Sequence, residues 1–150
     1  MLHCRTNSWT ILSGEVSDRH RVLAVGLLEL ERLNPKALEL IASRDHVIYF
    51  SAASSWEISI KCRLGKLILP EEPATYVPSR LHQEGMVALP IEHSHALHVY
   101  SLPDHHRDPF DRLLIAQAQC ESLPILTSDR QFRKYSVRVL WGSRRSRSTI

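Results

Sequence analysis

Glycine is scarce in this 150-residue chain, with five in all, too few and too scattered for a phosphate-cradling loop. Cysteine is scarcer still. Cys4, Cys62 and Cys120 are odd in number, far apart and without a C-x-x-C pair. That argues against a disulfide framework and a cysteine zinc site, and favours a reducing compartment, the cytoplasm. No uncharged stretch is long and apolar enough to span a bilayer, so no membrane span is expected. Residues 1–20 hold no apolar run followed by a small-residue cleavage site, which argues against a secretory signal. No serine nucleophile elbow and no internal repeat is present.

Acids are missing from the carboxyl end. From Arg130 to Ile150 there are seven bases and no acid, whereas residues 1–129 carry twelve bases against sixteen acids. A basic end on an acidic domain suits a polyanion such as RNA. On charge alone, the plainer reading is a solvated tail over residues 142–150. What remains is ordinary: 43% hydrophobic and 23% charged residues, the length of one domain, read here as residues 1–141.

Short apolar strands alternate with helical segments. Residues 22–33 fit a helix, or a strand running into one. Asn34-Pro35 reads as a helix start, with Leu38, Ile41 and Ala42 as its buried stripe. Residues 46–51 read as a buried strand. Ser54 to Glu57 has capping-box spacing for a helix whose Trp56, Ile60 and Leu64 share a face and which Gly65 ends. Pro70, Pro73 and Pro78 limit 70–84 to a short or kinked helix. Residues 87–91 read as a strand, 92–102 as a helix and 124–127 as a strand. Asp108-Pro109-Phe110-Asp111 opens a helix to about Ser122, apolar on most sides and therefore central. Asp129 starts a short turn and 137–141 is a last strand. The alternation predicts an α/β fold with a mostly parallel sheet.

In such a sheet ligands collect at the carboxyl ends of the strands. Glu57 follows strand 46–51 by one helical turn, Asp129 follows strand 124–127, and Asp111 lies in the first turn of the central helix. Convergent carboxylates repel unless a divalent cation sits among them, and hard oxygen ligands suit Mg²⁺ or Mn²⁺. Each acid also has a structural reading: Glu57 closing a capping box, Asp108 capping the central helix with Asp111 favoured by its dipole, Asp129 in a turn.

Residues 51–61 (SAASSWEISIK), 64–67 (LGKL), 105–118 (HHRDPFDRLLIAQA), 126–129 (LTSD) and Phe132 occur in the order found in PIN-domain proteins of the VapC type. The chain resembles that family over about residues 33–141. The resemblance implies a three-layer α/β/α fold with a mostly parallel central sheet. It also implies a Mg²⁺- or Mn²⁺-dependent endoribonuclease, the toxin of a toxin–antitoxin pair, forming homodimers and held by an antitoxin whose tail enters the acidic groove. Glu57 matches the family's second acid, Asp111 the third and Asp129 the fourth. Asp108, typical of the subgroup, is read first as a cap, and Thr127 and Ser128 as positioning water. By this resemblance Asp111 and the first acid hold the metal, while Glu57 and Asp129 complete the shell or orient the attacking water.

Residues 1–32 are atypical for the family. Its first hydrophobic strand ends in Asp; the nearest match here is Ser17-Asp18-Arg19-His20, preceded by Leu12 to Val16, a poor central strand. Asp18 stands as the first acid and metal ligand on that match. The alternative is a catalytically weak or inactive PIN-fold protein that binds RNA or a partner. Among nine histidines, His93, His95 and His98 lack a His-Glu-x-x-His frame and read as surface or helix-end residues. A zinc scaffold built on His93 and His95 ranks last. His105, His106 and Arg107 are placed to contact RNA phosphates. Trp56 reads as core or dimer interface.

Overall fold

The computed structural model describes residues 20–25, 35–43 and 45–141. Strand β1 (His20–Ala24) is followed by α1 (Pro35–Ala42), β2 (His46–Ser51), α2 (Ala52–Arg63), α3 (Pro73–Gln83), β3 (Val87–Leu89) and α4 (His93–His98). A 3₁₀ turn (Val99–Ser101) leads to α5 (Pro109–Glu121), then β4 (Ile125–Thr127), a second 3₁₀ turn (Arg130–Lys134) and β5 (Val139–Trp141).

The sheet has the order β3-β2-β1-β4-β5, and every pairing is parallel. Ala24 is opposite Phe50 and Leu126, Ser51 opposite Leu89, and Thr127 opposite Trp141. All carboxyl ends therefore lie along one edge. The chain runs outward from β1 in one direction, then returns to β4 on the other side. The crevice between β1 and β4 at that edge is the switch point where ligands bind in such sheets.

Side chains alternate across the sheet because the strand period is two. Val22, Ala24, Ile48, Phe50 and Leu126 pack on one face with Ile58, Val77, Leu81 and Met86. Leu23, Tyr49, Leu89 and Ile125 pack on the other with Leu114, Ile115, Ala118, Phe132 and Tyr135. Two cores on one sheet make the expected three layers. Helix α5 is central, as its pattern predicts: Leu114 through Ala118 are all buried.

Several local expectations need correction. The central strand is His20–Ala24, at the start of the segment read as a helix or a strand running into one, and Asp18 lies outside the described residues. The N-cap of α2 lies three residues before the expected one. Ser51 is its N-cap and accepts from Ala53 N, while Ser54 Oγ instead donates to Val25 O at 3.1 Å. That bond ties α2 to the chain leaving β1. Pro78 sits inside an unbroken 11-residue α3. A mid-helix proline costs about 3 kcal/mol, opposed here by burial of Val77 and Leu81, one turn apart. The segment 92–102 divides into α4 and a 3₁₀ turn. His95 is not a surface residue but fully buried, with Nδ1 accepting from Glu92 N and Nε2 2.8 Å from Glu121 Oε1. Trp56 is 59% exposed, which excludes the core reading. Cys62 is a free thiol.

Candidate metal centre

Asp129 follows β4 directly and caps the 3₁₀ turn that comes next. Its Oδ1 accepts from Gln131 N at 2.9 Å, and its own N–H donates to Thr127 Oγ1 at 3.1 Å. Thr127 is thus used to fix the backbone of Asp129. Asp108 caps α5, its Oδ1 accepting from Phe110 N at 2.8 Å and Asp111 N at 3.3 Å, as its first reading holds. Pro109 occupies the first helical turn, where its missing N–H costs nothing. This cap sets the first turn of α5 and turns Asp111 toward Asp129.

His106 lies between the two acids. Its Nε2 is 3.0 Å from Asp111 Oδ2 and 3.2 Å from Asp129 Oδ2. One ligand atom from each of His106, Asp111 and Asp129 falls within 4.8 Å of the others, the one such group found among the described residues. Arg112 holds the loop before α5 through bonds from its guanidinium to the carbonyls of Val99, Leu102, Pro103 and His106.

Glu57 stands one step out. Its Oε1 pairs with Lys61 Nζ at 2.7 Å, so it answers Lys61 rather than closing a box on Ser54. It is still close enough to act on Asp111. Burial, then the charges of Asp108, Glu57 and Asp129, push the Asp111 pKa up to about 7, opposed by any positive charge on His106. Each of these causes disfavours the anion, and a divalent cation at this point would reverse them. Asp111 and Asp129 offer hard oxygen donors, with Glu57 near by, a chemistry that suits a hard cation.

The structure thus brings Asp111 and Asp129 together, places Glu57 at their margin, and leaves Asp18 outside the described residues. His93, His95 and His98 join no metal-binding group among those residues. Sequence reasoning missed His106 as a member of the site. The available signal was its place two residues before the cap of α5, from which its ring reaches that helix's first turn. Beside the acids, Trp56 meets Phe110 edge to face at 4.9 Å.

Residues 23–137 match the PIN domain. The chain is 37% identical over 98 residues to Ribonuclease VapC16 of Mycobacterium tuberculosis (strain H37Rv), covering 65% of this chain and 65% of that protein. It therefore spans a little under two thirds of that relative's length. Its fold is like that in the crystal structure of VapBC2 from Rickettsia felis bound to a DNA fragment from their promoter, with a TM-score of 0.60 at 15% identity over 81% of this chain and 99% of that one. It is also like VapBC-1 from nontypeable Haemophilus influenzae, with a TM-score of 0.55 at 14% identity over 81% and 96% of the two chains. At these identities the structural likeness is one of fold.

Proposed function

The chain belongs to the PIN-domain family, and on that premise we propose that it is a Mg²⁺- or Mn²⁺-dependent endoribonuclease, the toxin of a toxin–antitoxin pair. The observation that carries this reading is the meeting of Asp111 and Asp129, from separate elements, at the carboxyl edge of the sheet beside its switch point. The relative named a ribonuclease supports it.

Asp111 and Asp129 hold the cation, with Glu57 completing the shell. When bound, the cation supplies a water of lowered pKa and offsets charge developing on the phosphodiester. Glu57, paired with Lys61, would otherwise serve to orient the attacking water. Lys61 stays charged, since its hydrogen bond to Glu57 raises its pKa above the ordinary lysine value, and it offers a positive group to the neighbouring phosphate. Asp108 sets the helix turn that presents Asp111.

Asp18 is the proposed first acid. Glu57 and Asp129 follow their strands, whereas Asp18 precedes β1. An Asp18→Asn variant with unchanged Mn²⁺ affinity removes it from the set. The non-catalytic alternative is not favoured, because the acids of the later elements meet. The chain pairs with a second copy, is restrained by an antitoxin, and acts in the cytoplasm, where RNA and antitoxin would reach it. The deciding experiment is RNA cleavage by purified protein. Cleavage with Mg²⁺ or Mn²⁺ that is lost with EDTA and in Asp111→Asn supports the reading; cation-independent cleavage surviving Asp111→Asn overturns it.

A further inference from the structure

We propose that His106 is a positioning residue of the metal centre, donating one N–H to both Asp111 and Asp129 and leaving the cation to oxygen ligands alone. The inference deepens the metal-dependent reading above and rests on it. The distances by themselves fit two roles. Nε2 lies 3.0 and 3.2 Å from the two carboxylate oxygens, an ordinary hydrogen-bond length. It is also the roughly 3.0 Å separation of neighbouring ligands on an octahedral ion with bonds of about 2.1 Å.

The other ring nitrogen decides between them. The backbone N–H of Asp108 points at His106 Nδ1 from 3.1 Å. An amide N–H only donates, so Nδ1 presents its lone pair, and the proton of the neutral ring sits on Nε2. A protonated Nε2 has no lone pair for a metal; it is a donor shared by two acceptors. The backbone of the residue is fixed on both sides of its Cα, and the ring has an aromatic neighbour. His106 N donates to Tyr135 Oη at 2.7 Å, its carbonyl accepts from Arg112 Nη1 at 3.4 Å, and Phe132 meets the ring edge to face.

Two consequences follow. The shared N–H links a carboxylate on α5 to one after β4, offsetting their repulsion and fixing the oxygens that face the ion. The imidazole is withheld from the ligand set, which keeps the centre hard and suited to Mg²⁺ or Mn²⁺ over Zn²⁺. Partners that orient ligands in this way carry ten- to a hundredfold of metal affinity.

The test measures Mn²⁺ binding by the full chain through electron paramagnetic resonance, with melting curves to verify folding. His106→Ala is expected to bind Mn²⁺ about ten- to a hundredfold more weakly. His106→Gln, whose amide places an N–H near the position of Nε2, is expected to recover most of that loss. Independently, ¹⁵N spectra of the wild-type imidazole should show Nε2 protonated before and after saturation with Mg²⁺, a readout that survives if a variant does not fold. Tighter or unchanged binding in His106→Ala, a Gln variant as weak as Ala, or loss of the Nε2 proton with Mg²⁺ each overturns the role while leaving the nuclease reading standing. Absence of Mn²⁺ binding by wild type overturns both.

Discussion

Burial and three neighbouring carboxylates raise Asp111 from an ordinary 3.8 to about 7, so folding without a cation draws a proton onto it between those values. Its contribution to stability is therefore fully present in acid and is lost as pH rises through about 7. Asp111→Asn removes the charge that causes the loss. At pH 8 with EDTA the variant should be more stable than wild type, by on the order of 1 kcal/mol after allowance for solvent screening. At pH 4 the difference should vanish. Urea denaturation at the two pH values reads this. The same variant should lose RNA cleavage with Mn²⁺ by on the order of 100-fold or more, since ligand loss removes several kcal/mol of transition-state stabilisation. A substitution that stabilises the fold while abolishing turnover marks a functional acid rather than a structural one. Asp111 and Asp129 were legible in sequence because each stands where a strand has just ended or a helix begins. His106 was not legible, because its role depends on a ring turned by the amide of Asp108 and on a backbone N–H held by Tyr135, which is 29 residues away.

Helix α5 shows how one element carries both stability and chemistry. Its start was readable from Asp108-Pro109, since a cap and a proline at the first turn are local signals. The start of α2 was misread by three residues. Ser51, Ser54 and Ser55 are each able to cap, and only the tertiary bond from Ser54 to Val25 O settles which one does. At its other end α5 closes on Ser122, a non-glycine residue in the left-handed region at φ 53°. Glycine adopts that conformation without a Cβ penalty. Ser122→Gly is accordingly expected to raise stability by up to about 1 kcal/mol, measured by chemical denaturation. Asp108 joins the two functions. Asp108→Asn keeps an acceptor for Phe110 N but removes a charge facing Asp111, so it should lower the Asp111 pKa at little cost in stability. Asp108→Ala should lower that pKa too and cost about 1 kcal/mol through loss of the cap. Carbon-detected NMR titration of the Asp111 carboxyl, with melting of both variants, separates charge from cap.

At the scale of the whole molecule, a mostly parallel sheet and its central helix were legible because strand and helix periods alternate along most of the chain. Its first strand was legible only as one of two readings of residues 22–33, because residues 20–24 (HRVLA) are short and polar at their start. Parallel pairing with β2 on one side and β4 on the other makes a strand of them. Charge is distributed on the same scale: net −4 over residues 1–129 and +7 over residues 130–150. Three of those cations, Arg144, Arg145 and Arg147, lie past β5 and outside the described residues, so their role is decided by measurement on the chain. Each cation that neutralises a phosphate of single-stranded RNA contributes about 0.7 to the slope of log affinity against log salt. Ending the chain after Trp141 should therefore make that slope shallower by roughly 2 and weaken binding most at low salt. The turnover rate at saturating RNA should not change, because the residues at the metal centre remain. Fluorescence anisotropy with a labelled RNA from 50 to about 200 mM salt, EDTA present to prevent cleavage, reads the slope. A truncated chain with the full slope would assign RNA binding to the folded surface around Lys61 and leave the arginine-rich end as a solvated terminus.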